Sequence, residues 1–169
     1  MGMRMMGIIP KVGDIFLIPI DDKSAAGGQV ISIRKKGELY LAIFGQRLSL
    51  DENDITLAVS GPLVFLTLSL DAKIWHKSWP IIGNQIKLVN QYPQPTYKIE
   101  HYGVMSIESR DETKRRAASI DEIKVLKYRK VVAPIIVEDA IKAYFGIGEW
   151  IEYYDGLRAE HAIASSKLL

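Results

Sequence analysis

The stretch KVGDIFLIPIDDKSAAGGQVISIRKKGELYLAIF, residues 11–44, decides the fold. It holds three apolar runs, residues 14–20, 29–34 and 38–44, and the breaks between them carry turn-forming residues. Gly37 can take the positive φ that a short hairpin needs, so the last two runs are predicted to pair as a hairpin. Pro19 cannot donate a hydrogen bond to a neighbouring strand, so the first run is predicted to be an edge strand or to end there.

Further short strands are predicted along the next part of the chain. Residues 63–70 place leucines and a valine on alternate positions, which is typical of a strand. Residues 50–59 fit either a short helical turn or another strand, and the pattern leaves both open. Residues 79–89 are apolar but broken, and they predict two short strands around a turn at Gly83 and Asn84.

A second hairpin is predicted after a loop at residues 90–95. Residues 96–102 alternate in polarity, and residues 104–108 can pair back on them across Gly103. The chain then has about seven short strands in meander order, and such short connections favour antiparallel pairing.

The character of the sequence changes after residue 109. Ser119 and Glu122 have the spacing of a helix capping box, yet the following residues alternate like a strand, so helix and strand both stay open over residues 119–132. Apolar residues recur at helical spacing after Pro134 and stop at Gly146, which predicts a helix between them. Similar spacing from residue 150 to residue 161 predicts a second helix, docked by its aromatic face.

The predicted fold class is therefore α+β. We expect a mostly antiparallel β sheet or partly open barrel of about seven short strands, with one or two C-terminal helices. At 169 residues the chain is long enough to bury its own core as a single domain, residues 1–169. Within it we expect a disordered N-terminus at residues 1–10, a β-rich core at residues 11–109 and a mixed segment with the helices at residues 110–169.

The amino-acid composition of the chain excludes several classes of function. The chain has no cysteine, which excludes disulfides, thiolate zinc sites and cysteine nucleophiles and fits a cytoplasmic protein. The longest uncharged stretch, residues 55–70, is shorter than the roughly 20 apolar residues that span a bilayer, so no membrane partner is expected. The 22 basic and 20 acidic residues nearly cancel, so any nucleic-acid binding has to come from a local patch.

No motif for catalysis or for a cofactor is present. His76, His101 and His161 are far apart in the sequence, and there is no HExxH, GxSxG or GxxxxGK pattern. The acidic residues that are adjacent in pairs point apart on any helix or strand, so they do not share a site by themselves. We therefore expect no catalytic residue, no metal and no cofactor, and the protein is predicted not to be an enzyme.

Two local charge patterns predict binding surfaces. Residues 114–130 have seven basic and two acidic residues, a net charge of +5, with Tyr128 among them. Such a segment could contact phosphates and stack on a base, although an ordinary solvated face is favoured because the whole chain is near neutral. The residues that would carry this contact are Arg115, Arg116, Lys127 and Lys130.

The other pattern is acidic. Residues 138–160 have six acidic and two basic residues, a net charge of −4, together with several aromatic residues. An acidic and aromatic surface suits a basic protein partner, although core packing explains Trp150 and Tyr154 at least as well. The partner-binding residues predicted here are Glu149, Glu152, Tyr153 and Asp155.

Three groups of residues resemble one known family. They are the opening residues 11–20 with the glycine-containing strand at residues 27–33 and the apolar residues 39–44, the Trp-Pro-Ile-Ile-Gly segment at residues 79–83, and Pro134 leading into residues 137–145. Over residues 11–146 the chain resembles the immunity protein 26 family of bacterial polymorphic toxin systems.

This resemblance implies a mostly β protein that binds a cognate toxin and neutralises it by stoichiometric occlusion, without enzymatic activity or a cofactor. Partner choice would then reside in residues 85–130. The alternative is a small β-barrel module that binds nucleic acid through residues 114–130, because the Gly13-Asp14 opening is also typical of small SH3-like barrels. A homodimer is a further expectation, through an exposed edge at residues 14–20 that Pro19 blocks in part.

Overall fold

The structure is a computed structural model, and it describes residues 6–169. Its class is α+β, with two sheets and no closed barrel among the described residues, which confirms the predicted class. The larger sheet has the strand order β5-β1-β2-β3-β4-β9, and the smaller one has the order β6-β7-β8. The strands of the larger sheet are β1 (Asp14–Pro19), β2 (Ser24–Ile33), β3 (Leu39–Ser49), β4 (Leu63–Ser69), β5 (Ile81–Asn84) and β9 (Val131–Val132). Those of the smaller sheet are β6 (Thr96–His101), β7 (Val104–Ser109) and β8 (Arg115–Ala117).

Short helices fill the connections and the C-terminal part. The α-helices are α1 (Ile55–Ala58), α2 (Ala72–Trp75), α3 (Ile120–Val125), α4 (Pro134–Tyr144) and α5 (Ala159–Ser165). Three 3₁₀ helices cover Ile86–Gln91, Glu152–Leu157 and Ser166–Leu168. The longest helix of the described residues, α4, has 11 residues, and none found there is long and apolar enough to cross a membrane.

The predicted meander is confirmed for β1 to β4, which pair antiparallel in chain order. The turn before β2 forms because the Asp21 carboxylate accepts hydrogen bonds from the amides of Lys23 at 2.9 Å and Ser24 at 2.7 Å. Gly37 has a φ of +94° in the turn between β2 and β3, as the hairpin prediction requires.

The predictions for β1 and residues 79–89 are corrected by β5, which crosses back to pair with β1. The first strand therefore lies inside the sheet, and the predicted edge at residues 14–20 is wrong. The other alternative is confirmed, because the strand ends at Pro19, opposite Ala25. Residues 79–89 form one strand followed by a 3₁₀ helix, instead of two strands around a turn. Gly83 lies within β5. Glycine is needed at this position because a Cβ atom there would lie 2.5 Å from the Cγ2 atom of Ile55.

The two segments that the sequence left open are now assigned. Residues 50–59 hold helix α1, whose first amides are capped by the carboxylate of Asp54. Residues 119–132 hold both structures: α3, with the complete capping box of Ser119 and Glu122, and then β9. Strand β9 pairs with β4 in parallel, an exception to the antiparallel order.

The helix predicted after Pro134 is confirmed as α4, and Gly146 follows it with a φ of +83°. The second predicted helix is divided: a 3₁₀ helix ends at Leu157, and α5 begins at Ala159. Arg158 interrupts the helical path because its backbone is extended and bridges to Phe65 of β4.

The main core lies between one face of the larger sheet and α4. Phe16 and Trp79 are fully buried there and stack with their ring centroids 5.5 Å apart. The indole nitrogen of Trp79 donates to the carboxylate of Glu138 on α4 at 3.2 Å, so the largest core side chain also ties the helix to the sheet.

The predicted disorder of residues 1–10 falls in part outside the described residues, which begin at residue 6. Residues 6–10 have no regular secondary structure, and the Ile8 amide donates to the carbonyl of Trp75 at 3.2 Å. The organisation as a single domain stays a prediction.

Candidate partner-binding site

A groove of about 940 Å³ lies between the two sheets. One wall is β4 of the larger sheet, and the opposite wall is the start of β6 with residues 125–130. Residues 152–168 close the third side. Concave sites of this size accept a small ligand or a segment of a partner protein.

Two hydrogen bonds from backbone amides of β6 hold the walls of the groove together. The Lys98 amide donates to the Lys127 carbonyl at 3.0 Å, which holds residues 125–130 against β6. The Thr96 amide donates to the hydroxyl of Ser165 at 3.0 Å, which ties α5 to the same strand. Because these contacts join segments far apart in the sequence, the groove is a property of the folded chain and leaves no local signal.

The groove is apolar at its base and aromatic at its mouth. Leu66, Leu126 and Leu157 line it and are buried. Tyr128 and Tyr153 line it as well, with 52% and 41% of their surface exposed, respectively. Exposed aromatic side chains beside a buried apolar base are typical of a protein-binding surface.

The basic and acidic segments, which the sequence assigned to two alternative functions, meet at the groove. Lys127 and Lys130 of the basic segment line the same groove as Glu152 and Tyr153 of the acidic segment. The ammonium group of Lys130 lies 4.3 Å from the ring centroid of Tyr153, a cation–π contact. The rim therefore carries charges of both signs, and the acidic surface is not separate from the basic one.

The other two predicted partner-binding residues are placed differently. Glu149 is exposed but does not line the groove. Asp155 accepts a hydrogen bond from the Trp150 indole at 3.1 Å and lies 3.5 Å from the Arg158 guanidinium. Because Trp150 stacks on the buried Phe65 at 6.1 Å, Asp155 holds the 152–157 segment against the sheet.

The other two predicted nucleic-acid residues, Arg115 and Arg116, lie outside the groove and form ion pairs within the chain. Arg115 bonds the buried carboxylate of Glu108, and Arg116 pairs with Glu122 at 2.6 Å. The Arg116 hydrogen bond and the Ser119 amide lower the pKa of Glu122 to about 2. Two of the four predicted phosphate contacts therefore already have intramolecular partners.

Sequence reasoning missed the arginine network that joins the sheets. Arg129 bonds Glu108 and the Ser109 carbonyl, and its guanidinium lies 5.0 Å from the ring centroid of Tyr97. Burial would raise the pKa of Glu108, but hydrogen bonds from Arg115 and Arg129 outweigh it and hold that pKa below its ordinary value.

The same network reaches the larger sheet. Arg34, which follows β2, pairs with Glu112 of the β7–β8 turn at 2.7 Å. Arg110 bonds the hydroxyl of Ser32 on β2, and its guanidinium lies 4.8 Å from the ring of Tyr40 on β3. These contacts fix the smaller sheet relative to the larger one, and they thereby fix the width of the groove.

The groove combines apolar, aromatic and charged side chains. In residues 6–169, no cluster of three or more histidine and carboxylate side chains suits a metal ion. Of the three histidines, only His161 lines the groove. An apolar base, an aromatic mouth and a charged rim are features that protein-binding surfaces share.

Fold and groove together define a small α+β protein with a concave, partly apolar groove between its two sheets. A family model described as Immunity protein 26 matches residues 11–103, more than half of the chain. The chain belongs to the immunity protein 26 family, as its sequence resemblance predicted. No curated protein and no solved structure matched the chain.

The match begins at residue 11, where the resemblance was expected to begin, but it ends at residue 103 and not at residue 146. Strands β1 to β6 lie inside the matched range, whereas α4 and the groove residues after 103 lie outside it.

Proposed function

We propose that this protein is an immunity protein that binds a cognate bacterial toxin and neutralises it by stoichiometric occlusion in the cytoplasm, without catalysis. The observation that carries the proposal is the family match over residues 11–103. The groove supports it, because an occluding inhibitor needs a preformed surface on a rigid scaffold.

The proposed contact surface is the rim of the groove around residues 149–155. Glu152 and Tyr153 line the mouth, and the exposed Glu149 precedes them in the sequence and lies outside the groove lining. Tyr153 would supply an apolar anchor with a polar end, and the two glutamates would attract a basic toxin surface. Asp155 would act indirectly by keeping Trp150 in place.

Neutralisation by occlusion requires a large interface and slow dissociation of the toxin. A standard protein interface buries about 800 Å² on each partner, so contacts would extend beyond the groove mouth onto the neighbouring surface. Differences in affinity between related complexes reside mostly in the dissociation rate, so effective neutralisation is expected to show as slow release.

The alternative, a nucleic-acid-binding module, is less well supported by the geometry. Arg115 and Arg116 are already paired with carboxylates, which leaves Lys127 and Lys130 as the predicted contacts at the groove. Phosphate contacts release counterions, so nucleic-acid binding through this segment would weaken steeply with added salt.

The test is a pull-down with the tagged protein and the toxin encoded beside its gene, with and without nuclease and at two salt concentrations. The proposal predicts a complex of one toxin and one immunity protein that survives nuclease and salt, together with survival of cells that express both. The charge-reversed pair Glu149→Lys and Glu152→Lys should weaken the complex by about tenfold or more. Asp22→Lys is the matched control, since this exposed residue lies in the β1–β2 turn, away from the groove.

Two results would refute the proposal. One is a failure to bind the toxin or to protect cells. The other is recovery of nucleic acid that salt removes, which would support the alternative function.

A further inference from the structure

The turn between β6 and β7 has an unusual residue at its tip. His101 pairs with Val104, and the two residues between them, Tyr102 and Gly103, have φ values of +51° and +77°. Positive φ at both central positions is the geometry of a type I′ hairpin turn, whose first position favours asparagine, aspartate or glycine. A tyrosine there adopts a left-handed conformation that residues other than glycine, asparagine and aspartate rarely adopt.

Burial of the tyrosine ring does not compensate for this backbone strain. Tyr102 is 94% exposed, and the neighbouring Val104 is 60% exposed. The ring centroids of Tyr102 and His101 lie 4.4 Å apart in a T-shaped arrangement, and this contact leaves almost all of the Tyr102 surface in solvent. Backbone strain is enriched at binding sites, so a strained residue with a large exposed aromatic side chain points to a contact made by its ring.

The hairpin holds this tip in a defined place. Six residue pairs join β6 and β7 in unbroken register. Lys98, a groove residue, is held at its amide by Lys127, and Tyr102 lies four residues further along the chain, in the turn after β6. At about 3.3 Å per residue, the tip projects roughly 13 Å beyond that point of the groove.

We propose that Tyr102 is an anchor that inserts into a concave site of the toxin when the groove face docks. This inference rests on the proposed toxin-binding function and adds to it the inserted residue and the shape of its receptor. A convex tip with a phenol ring and an adjacent valine requires a cleft that has apolar walls and a polar group for the phenol hydroxyl. A hairpin that fills such a cleft blocks it directly, which is what occlusion requires.

The test uses Tyr102→Asn, which creates the Asn-Gly pair that this turn type prefers. The substitution should raise the midpoint of thermal unfolding by about 3 °C, because it relieves the backbone strain and removes no buried contact. It should also weaken binding to the toxin by about 30-fold, the usual cost of removing a central aromatic anchor. Tyr102→Phe should retain most of the affinity, since it keeps the ring.

The matched control is Lys77→Asn. Lys77 is exposed and has a φ of +63°, so asparagine should relieve the same kind of strain after helix α2. This control should raise the unfolding midpoint and leave the affinity for the toxin unchanged. Opposite effects on stability and binding at residue 102 alone would distinguish an anchor from a structural residue.

A photocrosslinking residue at position 102 locates the contact. Crosslinks to residues that line a cleft of the toxin are the expected result. Crosslinks between two copies of this chain, crosslinks to a flat toxin surface, or a Tyr102→Asn variant that binds the toxin like the wild type would overturn the inference. If the wild type itself does not bind the toxin, the proposed function fails, and the anchor role fails with it.

Discussion

The ion pairs of Glu108 give a quantitative prediction for Arg129→Met. The Glu108 side chain is 2% exposed and bonds two guanidinium groups: that of Arg129, which is 12% exposed, and that of Arg115, which is 55% exposed. The substitution leaves the buried carboxylate with only the solvated partner, and the Ser109 carbonyl loses its hydrogen bond from Arg129. Breaking a buried ion pair costs roughly 3–5 kcal/mol, and because Arg115 remains, we expect a loss of about 3 kcal/mol.

The assay is urea unfolding across pH. The pKa of Glu108 is lowered in the folded protein from its ordinary value of 4.5. Its ion pairs therefore stabilise the fold above that value, and their contribution is lost as the pH falls through the folded pKa. The pKa should be higher in Arg129→Met, so the difference from the wild type should be full at pH 7 and should shrink at acidic pH.

A double variant supplies the control. Glu108→Leu combined with Arg129→Met removes both buried charges, and Arg115 stays hydrated at the surface. Replacing a buried ion pair by apolar groups is often close to neutral, so the double variant should be more stable than Arg129→Met alone. A stability loss that does not change with pH, or a double variant that is less stable than the single one, would refute this account of the network.

Two further predictions concern packing and titration. Gly27→Ala should destabilise the fold by about 2–3 kcal/mol in urea unfolding, because the added methyl group would overlap the carbonyl of Ala58. Gly156→Ala should be nearly neutral, since the nearest neighbour of the added methyl group is the flexible end of a lysine side chain at 3.5 Å. Equal losses of stability in the two variants would contradict this explanation. The pKa of Glu122 is about 2, so its carboxylate should stay ionised at pH 3 in an NMR titration, and Arg116→Gln should move the pKa towards 4.5.

The local half of the fold could be predicted from the sequence. Alternating apolar runs and the turn residues between them predicted β1 to β4 and the β6–β7 hairpin, because those pairings join neighbouring segments. The two outer strands of the larger sheet were not predictable in this way. Ser69 pairs with Val132, and Asp14 pairs with Asn84, and no local pattern specifies such distant partners.

The dependence on contacts between distant segments also explains why the candidate site was only partly predictable from the sequence. Charge counting identified the basic and acidic segments correctly as patterns, but it treated each segment as a separate surface. The fold places Lys130 against Tyr153 at one groove and pairs the surface residue Arg115 with the buried Glu108. Which charges stay available to a partner therefore depends on tertiary pairing, and this information is absent from segment composition.

The boundary of the family match divides the residues that line the groove into two groups. The matched range ends at residue 103, in the turn that carries Tyr102, and it includes both β4 and β6. The remaining groove walls, residues 125–130 and 152–168, come from the part of the chain beyond the match. The matched range thus supplies β4 and the first strand of the projecting hairpin, and the part of the chain after residue 103 completes the groove between the two sheets. Under the proposed function, the tip would engage the toxin's cleft, while the groove rim would distinguish one toxin from another.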